Sequence, residues 1–171
     1  NPPIEGSISA DELHITLAYL GEASEIDEAQ REAILEACQT LADTSDAPES
    51  LFPASTGVFP PDPEAPDTED GAEAAYYAAP AHTGGFSSLR EDLMTHLDAR
   101  GVSQLVSTKH PVFNPHVTLT YAPLDTPPAL NLPTPVPVEF STLIVRFANE
   151  IHTFDLQGKE AGPALPLTAA V

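Results

Sequence analysis

Two short phrases in the chain carry the same residue types in the same order. His14-Ile15-Thr16-Leu17-Ala18-Tyr19 and His116-Val117-Thr118-Leu119-Thr120-Tyr121 both read His, β-branched, Thr, Leu, small or short, Tyr, and lie roughly a hundred residues apart. Side chains on a strand alternate faces. Each phrase, folded as a strand, therefore offers an imidazole and a hydroxyl to one side and apolar side chains to the other. Two such pairs suit the splitting of a phosphodiester. Attack at phosphorus requires the incoming oxygen to lose a proton and the leaving oxygen to gain one, and two histidines can serve as base and acid near neutral pH. The hydroxyls of Thr16 and Thr118 can hold the non-bridging oxygens, where charge accumulates. The scheme needs no metal and no cofactor. A single His-x-Thr strand carries almost no information, and both histidines could simply sit at strand edges. The repetition of the whole phrase argues against that. The tyrosines fall five residues after the histidines, on the opposite face, and are expected to pack.

The other candidates are weaker. His82 stands beside Thr83, but the glycines that follow spoil a strand; His96 lies on a helix pattern, His110 shortly before the second phrase, and His152 in a late hairpin. No His-x-x-x-His or Cys-x-x-Cys grouping suggests a zinc site. There is no phosphate-binding or dinucleotide-binding glycine pattern, and no Gly-x-Ser-x-Gly elbow. Lys109 and Arg146 are the basic residues best placed to assist in binding phosphate. Tyr76, Tyr77 and Phe113 could stack on a base, with core packing the competing role. Cys38, the single cysteine, falls at helical spacing among Ile34, Leu35 and Leu41 and reads as buried filler.

The elements that must position the two phrases follow from periodicity. Residues 11–20 read as a strand ending at Gly21, and 27–42 as a helix capped by Asp27 with Gln30 as reciprocal partner. Residues 51–59 and 74–80 read as strands on either side of an acidic, proline-rich stretch, 60–73, which is expected to be an exposed loop. Ser88-Leu89-Arg90-Glu91 reads as a capping box opening a helix that ends at Gly101. Residues 102–107 read as irregular or a short strand. Strands are expected at 116–122, 138–147 and 151–156, with a proline-rich connector at 123–137. The expected order is β-α-β-β-α-β-β-β, an α+β chain in two similar halves. Residues 1–157 would form one bilobal domain and 158–171 a mobile tail.

Composition bounds the partners. The chain carries 26 acidic against 6 Lys and Arg residues, a net charge of −20. Long nucleic acids are held by neutralising many phosphates, so this balance disfavours them and leaves a small nucleotide or short oligonucleotide as substrate. No apolar run approaches a membrane span. One cysteine precludes an intrachain disulfide and suits a cytoplasmic setting. The chain does not begin with Met, which allows for a domain of a larger protein or assembly, a virion included.

These residues resemble the two-histidine phosphoesterase superfamily, which includes 2′-5′ RNA ligase-like proteins and cyclic nucleotide phosphodiesterases. The resemblance spans roughly 11–156. Its first motif is similar to His14-Ile15-Thr16-Leu17-Ala18-Tyr19-Leu20-Gly21, and its second, with the Phe-x-Pro-His lead-in, to Phe113-Asn114-Pro115-His116-Val117-Thr118-Leu119. It implies a bilobal, pseudo-symmetric fold: two antiparallel sheets facing a central groove, helices outside, both motifs lining the groove. It implies hydrolysis or ligation at 2′-linked or cyclic phosphates, with His14 and His116 catalytic. The loop at 60–73 departs from the common core, and the scarcity of basic residues departs from a binder of long RNA. Two alternatives stand beside this activity: a phage-type hydrolase of cyclic oligonucleotide immune signals, and a non-catalytic structural or binding domain.

Overall fold

A computed structural model of the chain describes residues 12–61, 73–109, 111–158 and 167–170. Most of the acidic stretch at 60–73, together with His110, lies outside the described residues. Nine strands and two α-helices are present among them: β1 (Ile15–Tyr19), α1 (Glu28–Thr44), β2 (Glu49–Phe52), β3 (Ser55–Phe59), β4 (Ala74–Ala79), α2 (Gly84–Ala99), β5 (Val117–Ala122), β6 (Val136–Glu139), β7 (Thr142–Phe147), β8 (Glu150–Asp155) and β9 (Leu167–Ala170). The α+β architecture is as expected. In detail, β3-β4-β5-β1-β9-β7-β8 form one continuous sheet, and β2 pairs with β6 in a separate ribbon. Neighbours in the large sheet are antiparallel except at β9, which runs parallel to both β1 and β7.

Strand β9 corrects the expected mobile tail over 158–171, for Leu167–Ala170 lie in the centre of the sheet. A Leu-Thr-Ala-Ala segment has weak strand propensity of its own. Pairing on both edges supplies what propensity lacks.

Both helices cover one face of the sheet. Helix α1 opens with the expected capping box: Asp27 Oδ1 accepts from the Gln30 N–H at 2.8 Å and Gln30 Oε1 from the Asp27 N–H at 2.9 Å. Its Ile34, Ala37, Cys38 and Leu41 are buried in the core beside β7, which contributes Leu143 and Val145. Burial of each such Leu or Ile contributes about 1.5–3 kcal/mol. Burial also pushes the Cys38 thiol up to about 12, against the opposing pull of the Arg100 charge. That thiol is inert filler.

Helix α2 begins at Gly84, before the expected capping box, and Ser88 lies inside it. The helix start is set by packing: a Cβ on Gly85 would meet Pro48 Cβ at 3.2 Å, so the glycine lets the first turn close on that loop. The expected strand at 51–59 is two strands in different sheets, divided at Pro53, and that at 138–147 divides between β6 and β7 at Phe140-Ser141. Proline interrupts the ladder in the first case. In the second, Phe140 leaves the ribbon to bury its ring against Phe52 and Phe86. Residues Ser103–Leu105 form a 3₁₀ turn rather than a strand. Among the described residues no helix is long and apolar enough to cross a membrane.

Candidate active site

The two phrases meet side by side at the centre of the large sheet. Strands β1 and β5 are antiparallel neighbours, paired at Ile15 and Val117, whose side chains are fully buried on the helix face. Continuing that register sets His14 opposite Thr118 and Thr16 opposite His116. The four side chains thus occupy the other face in a diagonal, pseudo-twofold arrangement. All four are half-buried.

Each imidazole is held the same way. His14 Nδ1 lies 2.7 Å from the Glu12 carbonyl oxygen, and His116 Nδ1 lies 2.6 Å from that of Asn114. A carbonyl only accepts, so Nδ1 carries the proton in both rings. That fixes the tautomer and ring orientation and assigns Nε2 the proton exchange with a substrate.

Both strands carry a β-bulge one residue after the threonine. Across β9, Thr16 pairs with Thr168 and Ala18 with Ala169, which leaves Leu17 as the extra residue. Across β4, Thr118 pairs with Tyr77 and Thr120 with Tyr76, which leaves Leu119 as the extra residue. A bulge re-aims every side chain beyond it. This overturns the expected packing of the tyrosines: Tyr19 and Tyr121 are 49% and 47% exposed and turn toward the motif face.

Among the described residues an aromatic ledge flanks His116 and not His14. Tyr77, opposite Thr118, stacks on Phe59 at 4.5 Å between centroids; His116 lies 4.8 Å from the Phe59 ring and 5.1 Å from Tyr77. The Tyr77 ring lies across Gly57, where a Cβ would fall 2.9 Å from Cε2 and closer still to Cζ and Oη. Glycine is the residue that admits the ring there. Of the expected stacking candidates, Tyr77 stands on the motif face and Tyr76 is buried. Phe113 lies under Arg90. Phe59 was not among them, because an isolated Phe ending a strand carries no signal of its face.

The cations divide sharply. Arg31 donates to the Ile26 and Ala23 carbonyls and pairs with Glu150 at 3.6 Å. Arg100 bonds Thr40 at 2.9 Å and the His96 carbonyl at 3.1 Å. Arg146 is exposed on the motif face of β7, alternating with buried Val145 and Phe147 and registered on Ala170, as is Tyr19. Lys109 is exposed in the loop whose Ser107 N–H donates to the Tyr19 carbonyl at 2.7 Å. Thr168, which no sequence signal marked, is buried beside Thr16 on the motif face. Of the remaining histidines, His82 is exposed before α2, His96 lies on α2, and His152 bonds Glu150 at 2.8 Å on the helix side. Among the described residues no three His, Cys, Asp or Glu side chains gather as a cation site requires. A hollow of about 460 Å³ lies between α2 and the lead-in to the second motif at Phe113.

The family model described as 2′-5′ RNA ligase superfamily matches residues 5–143. Among solved structures, the chain is similar to the crystal structure of TT0787 of Thermus thermophilus. The identity is 19%, the TM-score is 0.52, and the match covers 93% of this chain and 87% of that one. At that identity the likeness speaks for the fold. No curated protein matches the chain.

Proposed function

Because this chain belongs to the 2′-5′ RNA ligase superfamily, we propose that it is a metal-independent phosphodiesterase acting on 2′,3′-cyclic or 2′-5′ bonds of small nucleotides or short oligonucleotides. Membership supports a phosphoesterase- or ligase-like activity in general. The observation that carries the finer reading is the matched pair of imidazoles, each with Nδ1 on a backbone carbonyl two residues earlier, presented to one face with a threonine directly across from each. Water attacks phosphorus as one neutral imidazole takes its proton at Nε2. A P–O bond forms, the ribose P–O bond breaks, and the other imidazolium protonates the departing oxygen. Thr16 and Thr118 stabilise the non-bridging oxygens, and Arg146 and Lys109 are the cations that would attract the anion. Ligation is the same displacement on a cyclic phosphate with the hydroxyl of a second nucleotide attacking in place of water.

The ledge makes the site asymmetric. A nucleobase stacked on Phe59 and Tyr77 gains about 1–3 kcal/mol and sets the nucleoside on the His116 side. His116 then protonates the ribose oxygen, and His14 activates water. A cyclic substrate with sulfur at the leaving position needs less protonation, so it should restore turnover to His116→Ala and not to His14→Ala. The reaction itself is tested by incubation in EDTA with 2′,3′-cyclic mononucleotides, 2′-5′-linked oligoadenylate and cyclic dinucleotides, with products resolved by chromatography. Turnover of the first two supports the proposal. Turnover confined to cyclic dinucleotides would replace it with the immune-signal reading, and silence across the panel would favour a binding domain.

A further inference from the structure

We propose that Arg90, on the far side of the sheet from the motifs, is a positioning residue that fixes His14 and His116 relative to each other. The proposal rests on the two-histidine reading of the site. The strands that carry the two motifs are joined sparsely: β1 and β5 share the single pair Ile15 and Val117, whereas β4 and β5 are registered from Ala74 to Ala78. Something else must hold the spacing of the imidazoles. Arg90 spans that junction from behind. Its Nη1 donates to the carbonyl of Leu17, the bulge residue directly after Thr16. Its guanidinium lies 5.3 Å from the centroid of Phe113, over the ring. Phe113 directly precedes Asn114, whose carbonyl orients His116. One planar group therefore touches the first motif strand at its bulge and the lead-in to the second.

The anchor is rigid. Arg90 emerges from α2 between Leu89 and Leu93, both buried in the core. Guanidinium chemistry fits the task, because the group donates in its plane and stacks through its face at once, which an ammonium does not. The other arginines of the helix side do not do this: Arg31 bonds the Ile26 and Ala23 carbonyls ahead of α1, and Arg100 bonds the end of α2 at His96 and the Thr40 hydroxyl. In a chain with six basic residues, one is committed to the back of the catalytic strands.

The test compares Arg90→Met, Arg90→Lys and a control, Ile34→Val, which thins the core on α1 away from both motifs. Steady-state kinetics on a substrate turned over by the wild type give kcat and KM, and NMR of the imidazole Nδ1–H protons of His14 and His116 reports their carbonyl bonds. Misplacement of reacting groups by about 1 Å costs on the order of 10²-fold. Arg90→Met should therefore lose about 10- to 100-fold in kcat with KM nearly unchanged, while its Nδ1–H signals weaken through faster exchange with water. Arg90→Lys, which keeps a donor for Leu17, should recover part of the loss, and Ile34→Val should keep both kcat and signals. Unchanged kcat and signals in Arg90→Met would overturn the proposal, as would an equal loss in Ile34→Val. If Arg90→Met fails to fold, Arg90→Lys decides: wild-type kcat and signals overturn the proposal, and an intermediate kcat upholds it. If the wild type turns over nothing, the phosphodiesterase reading fails alone and the NMR comparison still decides the role of Arg90.

Discussion

Replacing Gly57 by Ala adds one methyl group under the Tyr77 ring. That Cβ would stand 2.9 Å from Cε2 and closer to Cζ and the phenol oxygen, where carbon atoms in contact prefer about 3.5–4.0 Å. The backbone of β3 is held by its pairing with β4, so the ring is the part that yields. It must retreat by roughly half an ångström at Cε2 and by more at the phenol end. The Phe59 stack at 4.5 Å and the His116 contact at 5.1 Å both depend on that ring. An aromatic pair is worth about 0.5–1.5 kcal/mol, and a base that stacks on the ledge loses a similar amount, so KM should rise about 3- to 10-fold. Stability should move little, because Ala in place of Gly in a strand recovers about 0.5–1 kcal/mol of chain entropy. Steady-state kinetics and thermal unfolding, run in parallel, check both halves. A more stable protein with unchanged KM would refute the argument, for it would mean that neither the ring's place nor the ledge matters to binding.

Other perturbations probe the scaffold and the site in turn. Asp27→Ala removes the side-chain half of the α1 capping box, the acceptor of the Gln30 N–H, and should cost about 1 kcal/mol, a fall of roughly 2–4 °C in Tm, read by calorimetry. Cys38, with its thiol pushed up to about 12 by burial, should resist iodoacetamide at pH 8 in the folded protein and react promptly once unfolded; mass spectrometry follows the adduct. Because its folded pKa lies above its ordinary 9.0, this group favours folding below pH 9 and withdraws that support as pH climbs from 9 toward 12. Thr16→Val and Thr118→Val should each lower kcat by on the order of 10²- to 10³-fold while leaving the fold intact, as circular dichroism would report.

The motifs were legible because they repeat a local pattern whose meaning does not depend on distant contacts. Alternation along a strand placed His14 with Thr16 and His116 with Thr118, and the structure sets those pairs on one face. The bulges at Leu17 and Leu119 were not legible, since an extra residue in a ladder is defined by the partner strand. That is why Tyr19 and Tyr121 face the motif side instead of the core. Strand β9 was hidden for a related reason: Thr168 and its neighbours become a strand only between β1 and β7. The capping box of α1 was readable from Asp27 and Gln30 alone. The similar-looking Ser88–Glu91 was not a cap, because the glycine at 85 lets α2 begin earlier against Pro48. The ledge needed the register of β3 on β4 to bring Phe59 and Tyr77 together.

The most direct test of two-histidine catalysis is the turnover of His14→Ala and His116→Ala, measured singly in EDTA on whichever substrate the wild type cleaves. Each variant should fold as the wild type does and lose several orders of magnitude in kcat, because general acid and general base each contribute about 10²–10⁴-fold. Full activity in either folded variant would contradict the account.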